Sequence, residues 1–578
     1  MLLALCSMFF IGCGSAPRSN SIADSKIEPK TTGTRGGKLS YRLTSAPKTF
    51  NYLLADDEPT IVTSMYMLTS RLVEFDHKTQ KFMPGLAETW TTASDGRTVD
   101  ITLRQGLKFS DGYDLNTDDV IFTLKAMYDE RTKSPVFSDA MLIDGKQIET
   151  RRIDDRRLQM IFPQPVASVE NYLVNLGVLP SHILDADLKA GKFAEAWKIN
   201  SPPAGIITSG PFIVEAVTPG ERIEYARNPN YWKKDEKGTQ LPYLDKLSIE
   251  IIADANNTFV RLGQGSIDIA DRIRPTDFSS LSNNPGDVKA FDVGPGLGID
   301  HLWFNLNVTD PNGVPLNNQI KHGWFSDRRF RQAIASAIDR ESLASITLQG
   351  LASPLYGFVS PANRVWLNTN LAKLEYNLAK SEQLLKDAGF QKSGTAEAPV
   401  LRDSQNNPVE FTLIVPAENE PRKLMASVIQ EDLAHLGIKM QVAPIEFPAV
   451  TERWTKTYQY DAILLGLSQT DIEPSSYGNF LVSSAASHQW QPKQKSPANQ
   501  WEAQIDKLFA EQATEMDQQK RLAKFFEIQK VMRDEMPVIP IVARHVIAAA
   551  NSRIGNYSPS SILPYSLWNT EELFVRNN

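Results

Sequence analysis

The chain has 578 residues, 42% of them hydrophobic and 22% charged, and a formal net charge of -7 at pH 7. Its Lys and Arg residues are scattered along the whole length, which argues against nucleic acid as a partner, because a nucleic-acid face needs a basic stripe. That length can bury a large core and implies two to four structural units.

At the N-terminus, the apolar run Leu2–Ile11 is too short to span a bilayer as a helix, which takes about 20 residues. It matches the core of a secretory signal. No Lys or Arg precedes it, so the basic leader usual in such signals is missing and an upstream start is expected. Phe10-Ile11-Gly12-Cys13 resembles a bacterial lipobox, with cleavage before Cys13 and acyl chains added to that cysteine. Each buried methylene is worth about 0.8 kcal/mol, so several chains form a lasting membrane anchor. Residues 1–12 are therefore expected to be a lipoprotein-type signal peptide and 13–35 a flexible polar stalk. Loss of the leader removes Cys6, and Cys13 alone cannot form a disulfide or a cysteine-ligated metal site within one chain.

From Gly37 onward, short alternating runs predict strands at Lys38–Leu43, Arg97–Gln105, Arg156–Phe162 and Lys246–Ile252. Between them, "NTDDVIFTLKAMYDE" predicts a helix capped by Asn116 or Thr117, with Val120, Leu124 and Met127 on one face. Further on, Phe330, Ala333, Ile334, Ala337 and Ile338 form one helical stripe, with Ser326 placed to cap it. Arg328, Arg329 and Arg331 read as a solvated or ion-paired face. A helix from Asn377 to Gly389 follows, then one over 421–436 ending at Gly437. Strand Ile438–Val442, a helix near Phe447–Lys456 and strand Asp461–Leu467 imply a parallel crossover, hence an α/β lobe. Helices over 502–515 and 517–535 lead to a short, very apolar strand at Met536–Ala543, suited to cross from one lobe into another.

Catalytic patterns are missing. The histidines stand singly, with no H-E-x-x-H, and there is no G-x-S-x-G elbow. "GTRGGK" is too short for a phosphate-binding loop, and "GPGLG" at Gly294–Gly298 lacks dinucleotide-binding spacing. No catalytic residue, metal site or cofactor is selected, and the chain reads as a non-enzyme.

Four separated segments, in this order, resemble the family 5 extracellular solute-binding proteins of bacterial ABC importers. They are Phe82–Leu124, Thr208–Trp232 with its G-P-F and R-N-P-N-Y-W elements, Phe325–Glu341, and the "LLKDAGF" helix end. The resemblance implies an α/β type II periplasmic-binding-protein fold: two lobes joined by a hinge, with an extra subdomain inserted in the N-terminal lobe. It divides the chain into lobe I at 36–75, 200–298 and 545–578, the inserted subdomain at 76–199, and lobe II at 299–544. Two crossings form the hinge, one carrying Trp303 and Asn305, the other Val538 and Pro540.

Receptors of this family hold extended peptides by backbone pairing between the lobes, with a carboxylate on the peptide's ammonium end. Asp471 in "LSQTDIEPSSYGNF" is the matching residue, with Glu473 as the alternative; a cap on the turn before Pro474 is the other reading of Asp471. Tyr66 stands where a residue often lines the pocket, although it also reads as an inward-packed helix residue. Oligopeptide receptors carry a tryptophan three residues before the aspartate, where this chain has Ser468, so a metal chelate, an opine or an oligosaccharide stays open beside a peptide. The implied partners are a solute, ABC permease subunits and a membrane reached through lipidated Cys13, for a monomer in the periplasm or cell envelope. A surface hydrolase or an envelope chaperone are the readings from other classes.

Overall fold

The computed structural model describes residues 29–576 apart from 135 and 285. The signal, Cys13 and most of the expected stalk lie outside the described residues. Where the stalk is described it is not loose: Lys30 pairs with Glu572 at 2.6 Å, and the Thr31 N–H donates to Asn556 Oδ1 at 2.9 Å.

Two apolar cores organise the chain. One gathers Leu39, Tyr52, Phe109, Phe162 and Tyr225 in the N-terminal lobe. The other gathers Trp303, Phe325, Phe411 and Trp490 in the C-terminal lobe. A single twelve-stranded sheet runs through both. In the C-terminal lobe its order is Lys439–Ile445, Glu410–Pro416, Ala462–Leu467 and Ile299–Phe304. In the N-terminal lobe it is Ile269–Asp271, Lys38–Leu43, Lys246–Ile251, Arg222–Arg227 and Phe212–Thr218. Strand Val538–Asn551 belongs to both lobes and joins the two sets. The expected short terminal strand is therefore longer, because after leaving one lobe it continues as a core strand of the other.

Register locates the passage between lobes. Trp303 pairs with Val538 and His301 with Pro540, all inside the C-terminal lobe's sheet. Asn305 is buried there too, its Nδ2 donating to the Tyr458 and Tyr460 carbonyls at 2.7 and 2.8 Å. Asp300 then pairs with Val542, whereas Pro295 pairs with His545. The crossing thus runs through 295–299 and 542–545, and the Gly296 N–H donates to the Arg544 carbonyl at 2.9 Å. This corrects the hinge placement: Trp303 is paired on both sides within the C-terminal lobe's ladder, Val538 and Pro540 pair there with Trp303 and His301, and Asn305 is held by its hydrogen bonds just past the strand.

Local sequence explains most elements. Helix Thr117–Tyr128 starts on a capping box between Asn116 and Asp119 and buries Val120, Leu124 and Met127. Helix Leu378–Asp387 is capped by Asn377, and Gly389 leaves it at a φ of 90°. The cap of helix Arg328–Ala337 is Asp327 and not Ser326, which ends the preceding helix. Arg331 is likewise no solvated residue: it is buried and donates to the Phe325, Glu535 and Met536 carbonyls.

An antiparallel four-stranded sheet, Ala87–Thr92, Thr98–Leu103, Arg157–Ile161 and Glu149–Arg152, lies outside the main sheet. The lobes touch away from the crossing as well. Gln80 Nε2 donates to the Ala362 carbonyl at 2.7 Å and its Oε1 accepts from the Arg364 N–H at 3.0 Å. On the other flank the Ala167 N–H donates to the Ala513 carbonyl at 3.1 Å.

Candidate functional site

Parallel strands present ligands at their carboxyl ends, and the register turns both sets of ends toward the crossing. In the C-terminal lobe these ends are Pro416, Ile445 and Leu467; in the N-terminal lobe, Leu43, Ile251 and Asp271.

At the C-terminal lobe's edge, Asn419 caps helix Glu420–Ala434 and places Arg422 in its first turn. Arg422 Nε donates to Asp300 Oδ1 at 2.7 Å. Arg544, inside the crossing, donates its Nε to Asp300 Oδ2 at 2.6 Å and an Nη2 hydrogen to Asn419 Oδ1 at 3.4 Å. Asp300 is only 2% exposed, so one buried carboxylate holds two guanidiniums and the cluster carries a surplus positive charge. Arg422 lies against the backbone of Gly466, where a Cβ would collide with it.

The same edge holds a carboxylate with no cation. Asp471 Oδ1 accepts from the Glu473 N–H at 2.8 Å and from Ser476 Oγ at 2.6 Å, which ties it to the turn Pro474–Tyr477. Desolvation raises its pKa above the ordinary carboxylate value, against the pull of those two hydrogen bonds. Among the described residues no Lys or Arg pairs with it. Glu473, two residues on, has the opposite fate. It is buried and ion-paired to Arg521, whose guanidinium lies 4.9 Å from the centre of the Trp366 ring. Its charge is consumed internally, which removes it as a ligand contact.

A family profile, bacterial extracellular solute-binding proteins, family 5 middle, matches residues 81–489. The chain belongs to this family. Di/tripeptide-binding protein 1 of Pseudomonas aeruginosa is 27% identical over 530 residues, covering 88% of each chain. The solved oligopeptide-binding protein AppA of Bacillus subtilis, in complex with a nonapeptide, is 25% identical with a TM-score of 0.67, covering 94% of this chain and 100% of that one. NikA of Brucella suis, in complex with Fe(III)-EDTA, has a TM-score of 0.76 at 20% identity, covering 93% and 100%. The protein is thus a solute-binding transport protein with the two-lobed type II fold, and its relatives act outside the cytoplasm.

Tyr66 of this solute-binding protein does not join Asp471. It lines a cavity of about 360 Å³ formed by N-terminal-lobe residues, with Arg71 stacked 4.6 Å from its ring centre. Nearby, Lys233 is held between Glu74 and Glu571 at 2.7 and 2.8 Å. Sequence reading passed over Asp300, Arg422 and Arg544. Two of them had a signal: a charge inside an otherwise apolar strand, as in "IDHLWF" and "VIPIVARHVIAAA", is a buried polar group that requires a reason.

Proposed function

We propose that this protein captures a peptide between its lobes and delivers it to the permease of an ABC importer, tethered to the membrane through lipidated Cys13. One observation carries the peptide reading: the loop after strand Ala462–Leu467 bears a carboxylate, Asp471, that no Lys or Arg pairs with among the described residues, and the same lobe carries a surplus-positive pair, Arg422 and Arg544, on Asp300. Asp471 suits an ammonium terminus and the arginines a carboxylate terminus. Both charges strengthen once closure excludes water. The names of the Pseudomonas and Bacillus relatives support the same cargo. Lobe I at 36–75, 200–298 and 545–578, with 76–199 inserted, closes on lobe II at 299–544 as a monomer in the periplasm or cell envelope. The bend falls at 295–299 and 542–545. Moving such a clamp from 1:99 to 99:1 closed takes about 5.5 kcal/mol of differential affinity. Two terminal charges together with several backbone hydrogen bonds of about 1 kcal/mol each reach that.

The test is calorimetric titration with free, N-acetylated and C-amidated forms of the same short peptides, with mass spectrometry of solute retained through gentle purification. Free peptides should bind and either blocked form should lose affinity. Recovery of a metal chelate, an opine or an oligosaccharide, with no heat from any peptide pool, overturns the peptide reading. Palmitate labelling that persists in Cys13→Ser overturns the anchor.

A further inference from the structure

Arg42 lies in strand Lys38–Leu43 of the N-terminal lobe and is only 8% exposed. Its Nε donates to the Ile252 carbonyl at 2.9 Å. Among the described residues no carboxylate pairs with it and its two terminal nitrogens donate no hydrogen bond. Burial lowers its pKa from the usual arginine value, partly offset by Tyr41, while Arg272 adds a smaller repulsion and Asp271 a smaller pull still. Its terminal nitrogens are not sealed from water, and an anion reaching them would gain charge-assisted hydrogen bonds.

The space beside it is shaped for one. A cavity of about 30 Å³ is lined by Arg42, Thr258, Phe259, Arg272, Arg274 and Asp277, among others. Arg272 has a left-handed backbone, φ 51°, a conformation that costs a non-glycine residue energy and recurs at ligand sites. Its own charge is matched by Glu58. Arg274 stands at the N-cap of helix Pro275–Asn283 and offers the first-turn amides no acceptor; Asp277, which could, instead takes both its bonds from Arg274 at 2.8 Å. The helix end therefore adds positive potential to the arginines. The C-terminal lobe shows the contrast: there Arg422 and Arg544 bond to the Asp300 carboxylate, whereas among the described residues no carboxylate bonds to Arg42.

We propose that this cavity is an anion site taking one halide-sized monovalent ion, chloride in the organism, held by the terminal nitrogens of Arg42 and the positive end of helix Pro275–Asn283. A water needs about 10–15 Å³ of such space. The volume therefore has room for an ion of halide size. The inference does not depend on which solute the clamp carries.

The full mature protein is melted across titrations of sodium chloride, sodium bromide and sodium formate, each balanced with gluconate to constant ionic strength. Chloride and bromide should give a saturable rise of about 1–2 °C, and Arg42→Met should abolish it. Crystals grown in bromide should show an anomalous peak beside Arg42. Halide curves that superimpose on gluconate, a rise that persists in Arg42→Met, a larger rise with formate than with chloride, or bromide peaks only elsewhere each overturn the proposal. If Arg42→Met does not fold, the bromide peak in the wild-type protein decides alone.

Discussion

Asp300 in the C-terminal lobe and Asp271 in the N-terminal lobe occupy comparable positions, each buried at a strand edge facing the crossing. Their surroundings differ. Asp300 is gripped by two guanidiniums. Asp271 is held by neutral donors, the Tyr41 hydroxyl at 2.7 Å and the Ser566 N–H at 3.1 Å, with a further bond from the Ser566 hydroxyl. The first arrangement keeps charge at the cleft, where a charged solute can use it. The second satisfies a carboxylate by hydrogen bonding, and desolvation leaves its pKa raised above the ordinary value. Around these two carboxylates, then, the donors are charged in the C-terminal lobe and neutral in the N-terminal lobe.

The sharpest way to break this comparison is to remove Asp300. Asp300→Ala strands two arginines that are 18% and 32% exposed. It should lower unfolding free energy by about 3–5 kcal/mol in urea melts. A loss below about 1 kcal/mol would show that the guanidiniums are already solvated and need no anion.

Next comes Asp471. Asp471→Asn should weaken free peptides by about 2–3 kcal/mol in calorimetry while N-acetylated peptides change little. Glu473→Gln should reverse the pattern, losing stability through Arg521 before it loses affinity. Equal effects of both variants on peptide binding would dissolve the distinction between these two carboxylates.

Asp271 gives a smaller effect with a definite sign. Its folded pKa lies above its unfolded one, so its favourable contribution is complete below the unfolded value of about 3.9. That contribution is lost as pH rises through the raised folded value. Asn cannot titrate, so the stability of Asp271→Asn relative to wild type should increase from pH 3.5 to pH 7 in paired urea melts. A difference constant with pH would mean that the folded pKa is unshifted. Smallest of all is Tyr66→Phe, which acts in a different cavity and should change peptide affinity by less than about 0.4 kcal/mol.

Much of the fold was legible because local rules act alone there. Strand Lys38–Leu43 and the helices capped by Asn116 and Asn377 follow from alternation and caps that depend only on near neighbours. The misplacements have one cause. Ser326 and Asp327 are both competent caps, and which one is used depends on where the preceding helix stops. Arg331 reads as solvated because its carbonyl partners at Glu535 and Met536 are remote in sequence. The hinge was misplaced for the same reason: apolar segments around Trp303 and Val538 announce buried strands, but which lobe buries them depends on pairing partners far along the chain.

By itself, the sequence determined the α/β elements, because periodicity and capping are written in contiguous residues, and its ordered motifs carried the resemblance to family 5 that implied two lobes and a solute-binding role. Only the tertiary structure decided which charges remain available. Among the described residues no Lys or Arg pairs with Asp471 while Arg521 pairs with Glu473, Tyr66 lines another cavity, Arg422 and Arg544 share one carboxylate, and no carboxylate bonds to Arg42. The physical reason is that a charge's availability depends on its nearest counter-ion and on how much water reaches it, and both are set by residues that folding brings together from distant parts of the chain.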